Sequence, residues 1–358
     1  PCAERVRFHS SGTEATMMGM RMARAYTGKT KVIKFDQHFH GWHDYASAGG
    51  SGLGGLPRET LSTMIVLPPN DISLVEKAIQ DDGDVAALIL EPTGAHMGQI
   101  PIKPSFLGEL REVTERYGVV LIFDEVVTGF RTSKGGAQEY YGVTPDMSSL
   151  AKILGGGLPG GAICGKAGII NTIQTTDDPE YNQFRRVGHN GTFNANPLSA
   201  AAGTTALNLV ATTPVNEIAN ARAARMKQGF NDLLSRMEIP GCASGVASAV
   251  FLRLGVDHQC DKEVCIMTPE DMAVAGRCSP HRPTQPGPVE PGDTRREPVP
   301  HHGSPLRGRH RRDRRGHRQG ADRPPGTGPG LARPGAAAPL SNPPPFNEGE
   351  NITFPDWG

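Results

Sequence analysis

The sequence lacks an excess of charge of either sign. Its 37 Lys and Arg are matched by 37 Asp and Glu among 358 residues, a formal net charge of zero. Polyanions and anionic lipid surfaces attract chains with unbalanced charge, so the bulk composition excludes both as partners by default. It also lacks paired cysteines. Cys2, Cys164, Cys242, Cys260, Cys265 and Cys278 are scattered and form no C-x-x-C, which fits reduced thiols in a cytosolic protein and excludes a disulfide framework. No apolar run reaches bilayer-spanning length, and no signal-peptide pattern opens the chain. No internal repeat is present, and no G-x-S-x-G string marks a hydrolase nucleophile. An initiator Met is missing too: Pro1-Cys2-Ala3 runs almost at once into a motif, as in a chain whose start lies upstream.

From Val6 to Val210, short apolar runs alternate with amphipathic stretches. Val32–Phe35, Thr63–Leu67, Ala86–Leu90 and Val119–Phe123 read as strands buried on both faces. Ser73–Gln80 and Pro104–Tyr117 read as helices, the second with Phe106, Leu107, Leu110 and Val113 at helical spacing. This alternation predicts an α/β fold with a mainly parallel sheet, with ligands at the carboxyl ends of the strands. Two further helices, Pro197–Leu209 and Val215–Met237, lead toward a smaller α+β domain with a strand at Ala249–Leu254. The expected division is a large domain over 1–210, a partial small domain over 211–276 and a tail over 277–358.

Four local features carry chemistry. Ser10-Ser11-Gly12-Thr13-Glu14-Ala15 precedes an amphipathic helix; small residues there expose backbone N–H groups suited to a phosphate, and an ordinary N-cap is the plainer alternative. The strand Val119–Phe123 ends in Asp124-Glu125, where a carboxylate can keep a pyridine nitrogen protonated or simply cap a turn. Lys152 follows Ser148-Ser149-Leu150-Ala151 and precedes Gly155-Gly156-Gly157. Partial burial there would lower its pKa and favour Schiff-base chemistry, although a lone lysine is ordinarily a solvated one. Gly191-Thr192-Phe193-Asn194-Ala195-Asn196-Pro197 offers a second phosphate cluster or another capping turn.

In their shared order, these strings resemble the class III aminotransferases of pyridoxal-phosphate (PLP) fold type I, most of all the glutamate-1-semialdehyde aminomutase branch. The resemblance covers roughly Val6 to Leu254 and adds Phe39-His40-Gly41, Glu91-Pro92 and Val126-Val127-Thr128-Gly129-Phe130-Arg131. It implies a PLP enzyme that moves amino groups, as an aminomutase or as a two-substrate transaminase, with an inactive fragment of such an enzyme as the alternative from another class. Lys152 would hold the cofactor and, once freed, shuttle protons. Asp124 would pair with the pyridinium nitrogen, Val126 and Phe39 would cover the two ring faces, and His40 would stand beside them. Ser11, Gly12 and Thr13 would lie at the phosphate, Glu91 near the substrate end. Thr192 would reach the phosphate of a neighbouring subunit, making the active unit a homodimer. Three departures surround the substrate: Phe39 where Tyr is usual, His96 where Asn is usual, and Phe193-Asn194-Ala195-Asn196 for Leu-Ser-Gly-Asn. They leave amino-group chemistry in place and the substrate open.

Several strings imitate other sites. Gly50, Gly52 and Gly55 match a dinucleotide fingerprint without a preceding strand, and read as a mobile loop over the site. Gly160–Lys166 nearly matches a P-loop, but Ala167 stands where Ser or Thr must bind magnesium. His38, His40 and His43, and Cys260, Cys265 and His258, lack the remaining ligands of a metal site. The tail from Arg277 to Leu340 contains no Lys, Ile, Phe, Tyr, Trp, Met or Asn. It cannot build a core, and without Lys and stacking aromatics it is a poor nucleic-acid arm. Residue types with AT-rich codons are the missing ones, as in a GC-rich gene read out of frame. The expectation is a frameshift near Ala275–Cys278 and a disordered tail.

Overall fold

Short apolar runs build a seven-stranded sheet in the computed structural model, which describes residues 1–255. In chain order the strands are β1 (Arg5–His9), β2 (Lys31–Phe35), β3 (Met64–Leu67), β4 (Val85–Leu90), the two-residue β5 (Ile100–Pro101), β6 (Val120–Asp124), β7 (Met147–Ala151), β8 (Gly161–Gly165), β9 (Gly241–Ser244) and β10 (Phe251–Leu254). The large sheet has the order β1-β8-β7-β6-β4-β2-β3. The β2–β3, β2–β4, β4–β6 and β6–β7 pairs are parallel. Only β8 is reversed, antiparallel to both β1 and β7. This is the mainly parallel α/β sheet the alternation of strands and helices predicts.

Side-chain alternation divides the core into two layers. Val32, Ala87, Ile89, Val120 and Ile122 face helix α1 (Gly12–Thr27) with its Met18 and Met22. Ile33, Phe35, Leu88, Leu90, Leu121 and Phe123 face the opposite way, onto Phe106, Leu107 and Leu110 of the helix Pro104–Arg116. β4 is buried at every position, which is why its sequence is a continuous apolar run.

The strands β1, β7 and β8 were not among the expected ones. β7 and β8 carry Ser and Gly where packing leaves no room for bulk: a Cβ on Gly161 would come within 2.3 Å of Ser11 O, and one on Gly165 within 2.4 Å of Asp146 O. The P-loop-like stretch is therefore mostly an extended strand, β8, whose backbone groups pair with β1 and β7 rather than wrapping a phosphate.

Beyond the sheet, the helices Pro197–Thr212 and Val215–Arg236 lead to the antiparallel pair β9–β10. Asn231 ties the second helix to β9, donating to and accepting from the Ala243 backbone at 2.9 and 2.7 Å. The expected division at residue 210 falls near the end of the first of these helices. The remainder of the 211–276 segment, the 277–358 tail with its frameshift reading, and His258, Cys260 and Cys265 lie outside the described residues. Among the described residues no helix is long and apolar enough to cross a membrane.

Candidate functional site

The carboxyl ends of four parallel strands deliver side chains to one place. β2 leads to Phe39–Gly41, β4 to Glu91, β6 ends in Asp124, and β7 runs directly into Lys152. A cavity of ≈ 430 Å³ opens there. Eight of the ten expected residues line it: Gly12, Thr13, Phe39, His40, Glu91, Asp124, Val126 and Lys152.

Asp124 is buried and held by three groups. Its Oδ1 accepts from Ser149 Oγ at 2.8 Å and from Val126 N at 3.2 Å. Its Oδ2 lies 2.7 Å from His40 Nδ1. An ionised carboxylate only accepts, so with Asp124 ionised Nδ1 carries the proton. The carboxylate is thereby fixed in rotation, with acceptor capacity left over. Two nearby histidines are kept neutral. Burial, then the neighbouring His40, holds His38 well below its usual range and pushes His43 down to about 4.

The N-terminus of α1 forms another wall. Ser11 is its N-cap: Ser11 Oγ accepts from Glu14 N at 3.2 Å, while Glu14 Oε2 accepts from Ser10 N at 2.7 Å. The Ser11 hydroxyl is occupied in capping and does not line the cavity, whereas Gly12 and Thr13 do. A Cβ on Gly12 would lie 2.9 Å from Val126 Cγ2, and one on Gly41 would lie 2.7 Å from Thr13 Oγ1. Both glycines let the helix start close against its neighbours.

Lys152 corrects one expectation. It is exposed, not partly buried. Its φ of 48° turns the chain out of the sheet as β7 ends, so the side chain stands at the cavity rather than in the core. Thr192 lies in an exposed turn and does not line the cavity of its own chain. Residues 50–55 are exposed and none lines the cavity, so the described structure gives no support to a loop over the site. The His38 and His40 rings are tilted at 47° to each other, with 6.1 Å between centroids. Their Nδ1 atoms face Glu91 N and Asp124 respectively.

Glu91 is buried and lines the cavity. Its Oε1 accepts from Phe39 N at 2.9 Å and its Oε2 from Met97 N at 3.3 Å. Desolvation raises its carboxyl above the usual range, against the lowering effect of His40 and the backbone amides. Glu125 points the other way, into a buried net with Gln138 Nε2 at 2.8 Å and Thr128 Oγ1 at 3.1 Å. It braces the turn behind Asp124.

Two contributors went unassigned from sequence. Ser149 faces Asp124 through the β6–β7 register, a pairing that no local string announces. Thr16 donates to His40 O at 2.6 Å and lines the cavity; its place one helical turn beyond Gly12 and Thr13 was the available signal.

The class-III aminotransferase family profile matches residues 1–245. This chain belongs to that family. It is 44% identical over 260 residues to the glutamate-1-semialdehyde 2,1-aminomutase of Desulfotalea psychrophila, an overlap of 70% of this chain and 59% of that protein. Its fold superposes on an omega-transaminase from Sphaerobacter thermophilus with TM-score 0.66 and 36% identity, covering 73% of this chain and 61% of the other. A transaminase with PLP bound gives TM-score 0.64 and 27% identity, covering 70% and 60%. The chain thus spans about three-fifths of the length of the relatives it matches.

Proposed function

We propose that this chain carries out PLP-dependent amino-group transfer of the glutamate-1-semialdehyde 2,1-aminomutase kind, with Lys152 as the residue that holds the cofactor. The observation that carries this reading is the meeting of Asp124 and Lys152, from neighbouring parallel strands, in one cavity. The residues fit the group. A buried, rotationally fixed carboxylate suits a protonated ring nitrogen, a glycine-opened helix start suits a phosphate, and a lysine stands at the same cavity. The aminomutase name of the relative in Desulfotalea psychrophila supports the choice of reaction.

When bound, PLP supplies an aldehyde that takes up an amine and a ring that accepts the electron pair released by C–H deprotonation. Asp124 would keep the ring nitrogen protonated, and His40 and Ser149 hold its two oxygens in place. Lys152 would tether the cofactor and, with its amine free, would carry protons to and from the reacting carbons. Gly12 and Thr13 would anchor the phosphate at the start of α1. Val126 and Phe39 would cover the ring. Thr192 would complete the phosphate site of a second copy of this chain, so the working unit would be a homodimer, and the scattered cysteines of the sequence go with a cytosolic location.

A second reading, a two-substrate transaminase, draws on the transaminase structures and on the substrate-end departures at Phe39 and His96. Absorbance spectra of the purified protein with PLP, recorded against glutamate-1-semialdehyde and a panel of amines, test the proposal. Spectral change on adding an amine, with turnover of the semialdehyde and no need for a keto acid, is expected. Turnover only when a keto acid is supplied selects the transaminase reading, and no response to any amine overturns both.

A further inference from the structure

Two walls of the cavity come from separate parts of the chain, and both hang on one buried side chain. Glu91, the first residue after β4, is 5% exposed. Its two carboxylate oxygens accept from the Phe39 and Met97 amides. Its own N–H donates to His38 Nδ1 at 3.0 Å, adjacent to Phe39. Phe39, His96 and Met97 all line the cavity.

The second wall is held in a conformation that its residues would not choose. His96 and Met97 are consecutive non-glycine residues in the left-handed region, at φ 54° and 62°. Such a pair persists only where surrounding contacts enforce it. The hairpin closes on itself through the Gly94–Pro101 and Ala95–Ile100 bridges, so tightly that a Cβ on Gly94 would meet Ile100 O at 2.3 Å. From the other side, Arg253 of β10 donates to Gln99 O. On the side facing the cavity, the Glu91 carboxylate takes the Met97 amide.

We propose that Glu91 is the positioning residue of the substrate end: by binding the Phe39 and Met97 amides at once, it fixes the distance between the Phe39 wall and the His96–Met97 wall and so sets which amino substrates fit. Each carboxylate oxygen is engaged by a backbone amide, so Glu91 acts on the cavity through these two segments. The staple stands on geometry alone; its consequence for substrate choice rests on the amino-transfer reading.

Hydrogen exchange on the full chain, in wild type, Glu91→Gln and Glu91→Ala, tests it. Loss of a charge-assisted acceptor should speed exchange of the amides in 37–41 and 94–99 by about tenfold or more in Glu91→Ala. Glu91→Gln keeps a single acceptor oxygen, so one of the two segments should loosen. Strand β6 should remain as protected as in wild type. In both variants KM for glutamate-1-semialdehyde should rise more than kcat falls. Unchanged exchange in both segments overturns the proposal, as does faster exchange spread equally over the whole sheet, which marks a general structural role. Should Glu91→Ala fail to fold, an unloosened Glu91→Gln alone refutes it. Loosened segments with unchanged KM remove the claim on substrate choice. A wild type that binds no PLP yet shows the expected exchange pattern refutes the proposed function and supports the staple.

Discussion

Replacing Asp124 separates the two tasks assigned to it, bracing the site and carrying charge. In Asp124→Ala, the donors Ser149 Oγ, His40 Nδ1 and Val126 N lose their acceptor. Ser149 and His40 are 0% and 1% exposed, so both donors sit out of bulk water. Two fully buried donors left unpaired cost about 1–3 kcal/mol each. Removing a buried charge returns part of this, leaving a net loss of about 3 kcal/mol. In Asp124→Asn the amide oxygen keeps Ser149 and Val126, and the amide nitrogen can donate to His40 Nδ1 once that ring moves its proton to Nε2. The loss should be smaller than in Asp124→Ala, about 1 kcal/mol, because Ser149 and Val126 keep their acceptor while only the relocated His40 Nε2 proton is left without a partner. Urea titration of the three proteins without PLP measures the difference, since bound cofactor would add to apparent stability by an amount set by each variant's own affinity. Asn should stay closer to wild type than to Ala in stability yet match Ala in lost activity, because an amide cannot keep a ring nitrogen protonated. If Asn is as unstable as Ala, charge and not hydrogen bonding holds the site. Near-normal turnover in Asp124→Asn would show that Asp124 is not the cofactor's partner.

Two further outcomes follow from the same geometry. Ser11→Ala should cost about 1 kcal/mol by uncapping α1, read as a lowered Tm, with Ser11→Asp restoring most of it; equal Tm values would mean that the cap does not stabilise the helix. Mixing a Lys152→Ala chain with a Thr192→Ala chain should restore about a quarter of wild-type sites, since each hybrid has one site with both defects and one with neither; hybrids that form without activity contradict a shared phosphate site.

Much of the site was legible because its residues follow the ends of continuous apolar strands. β4 and β6 announce themselves as VAALIL and VLIFD, and the residues just beyond each are placed by the strand. β7 and β8 were hidden because close packing demands Ser and Gly there, which carry no strand signature. The partners of Asp124 were hidden for a different reason. Ser149 reaches it through strand register and His40 through a loop leaving β2, and neither relation is local in sequence. Burial of Lys152 was misjudged because the apolar run before it was taken to continue inward, whereas a left-handed residue at 152 turns the chain toward the cavity. Ser11 shows the plain reading and the functional one coexisting: its hydroxyl caps α1, and the cap sets the Gly12–Thr13 amides at the cavity wall.

The central claim is that Lys152 holds the cofactor. Borohydride reduction of the PLP-loaded protein, followed by proteolysis and peptide mapping, tests it directly. The account requires the pyridoxyl group on the peptide containing Lys152 and its loss in Lys152→Ala. A pyridoxyl group on any other lysine, or none on a protein that visibly binds PLP, would contradict it.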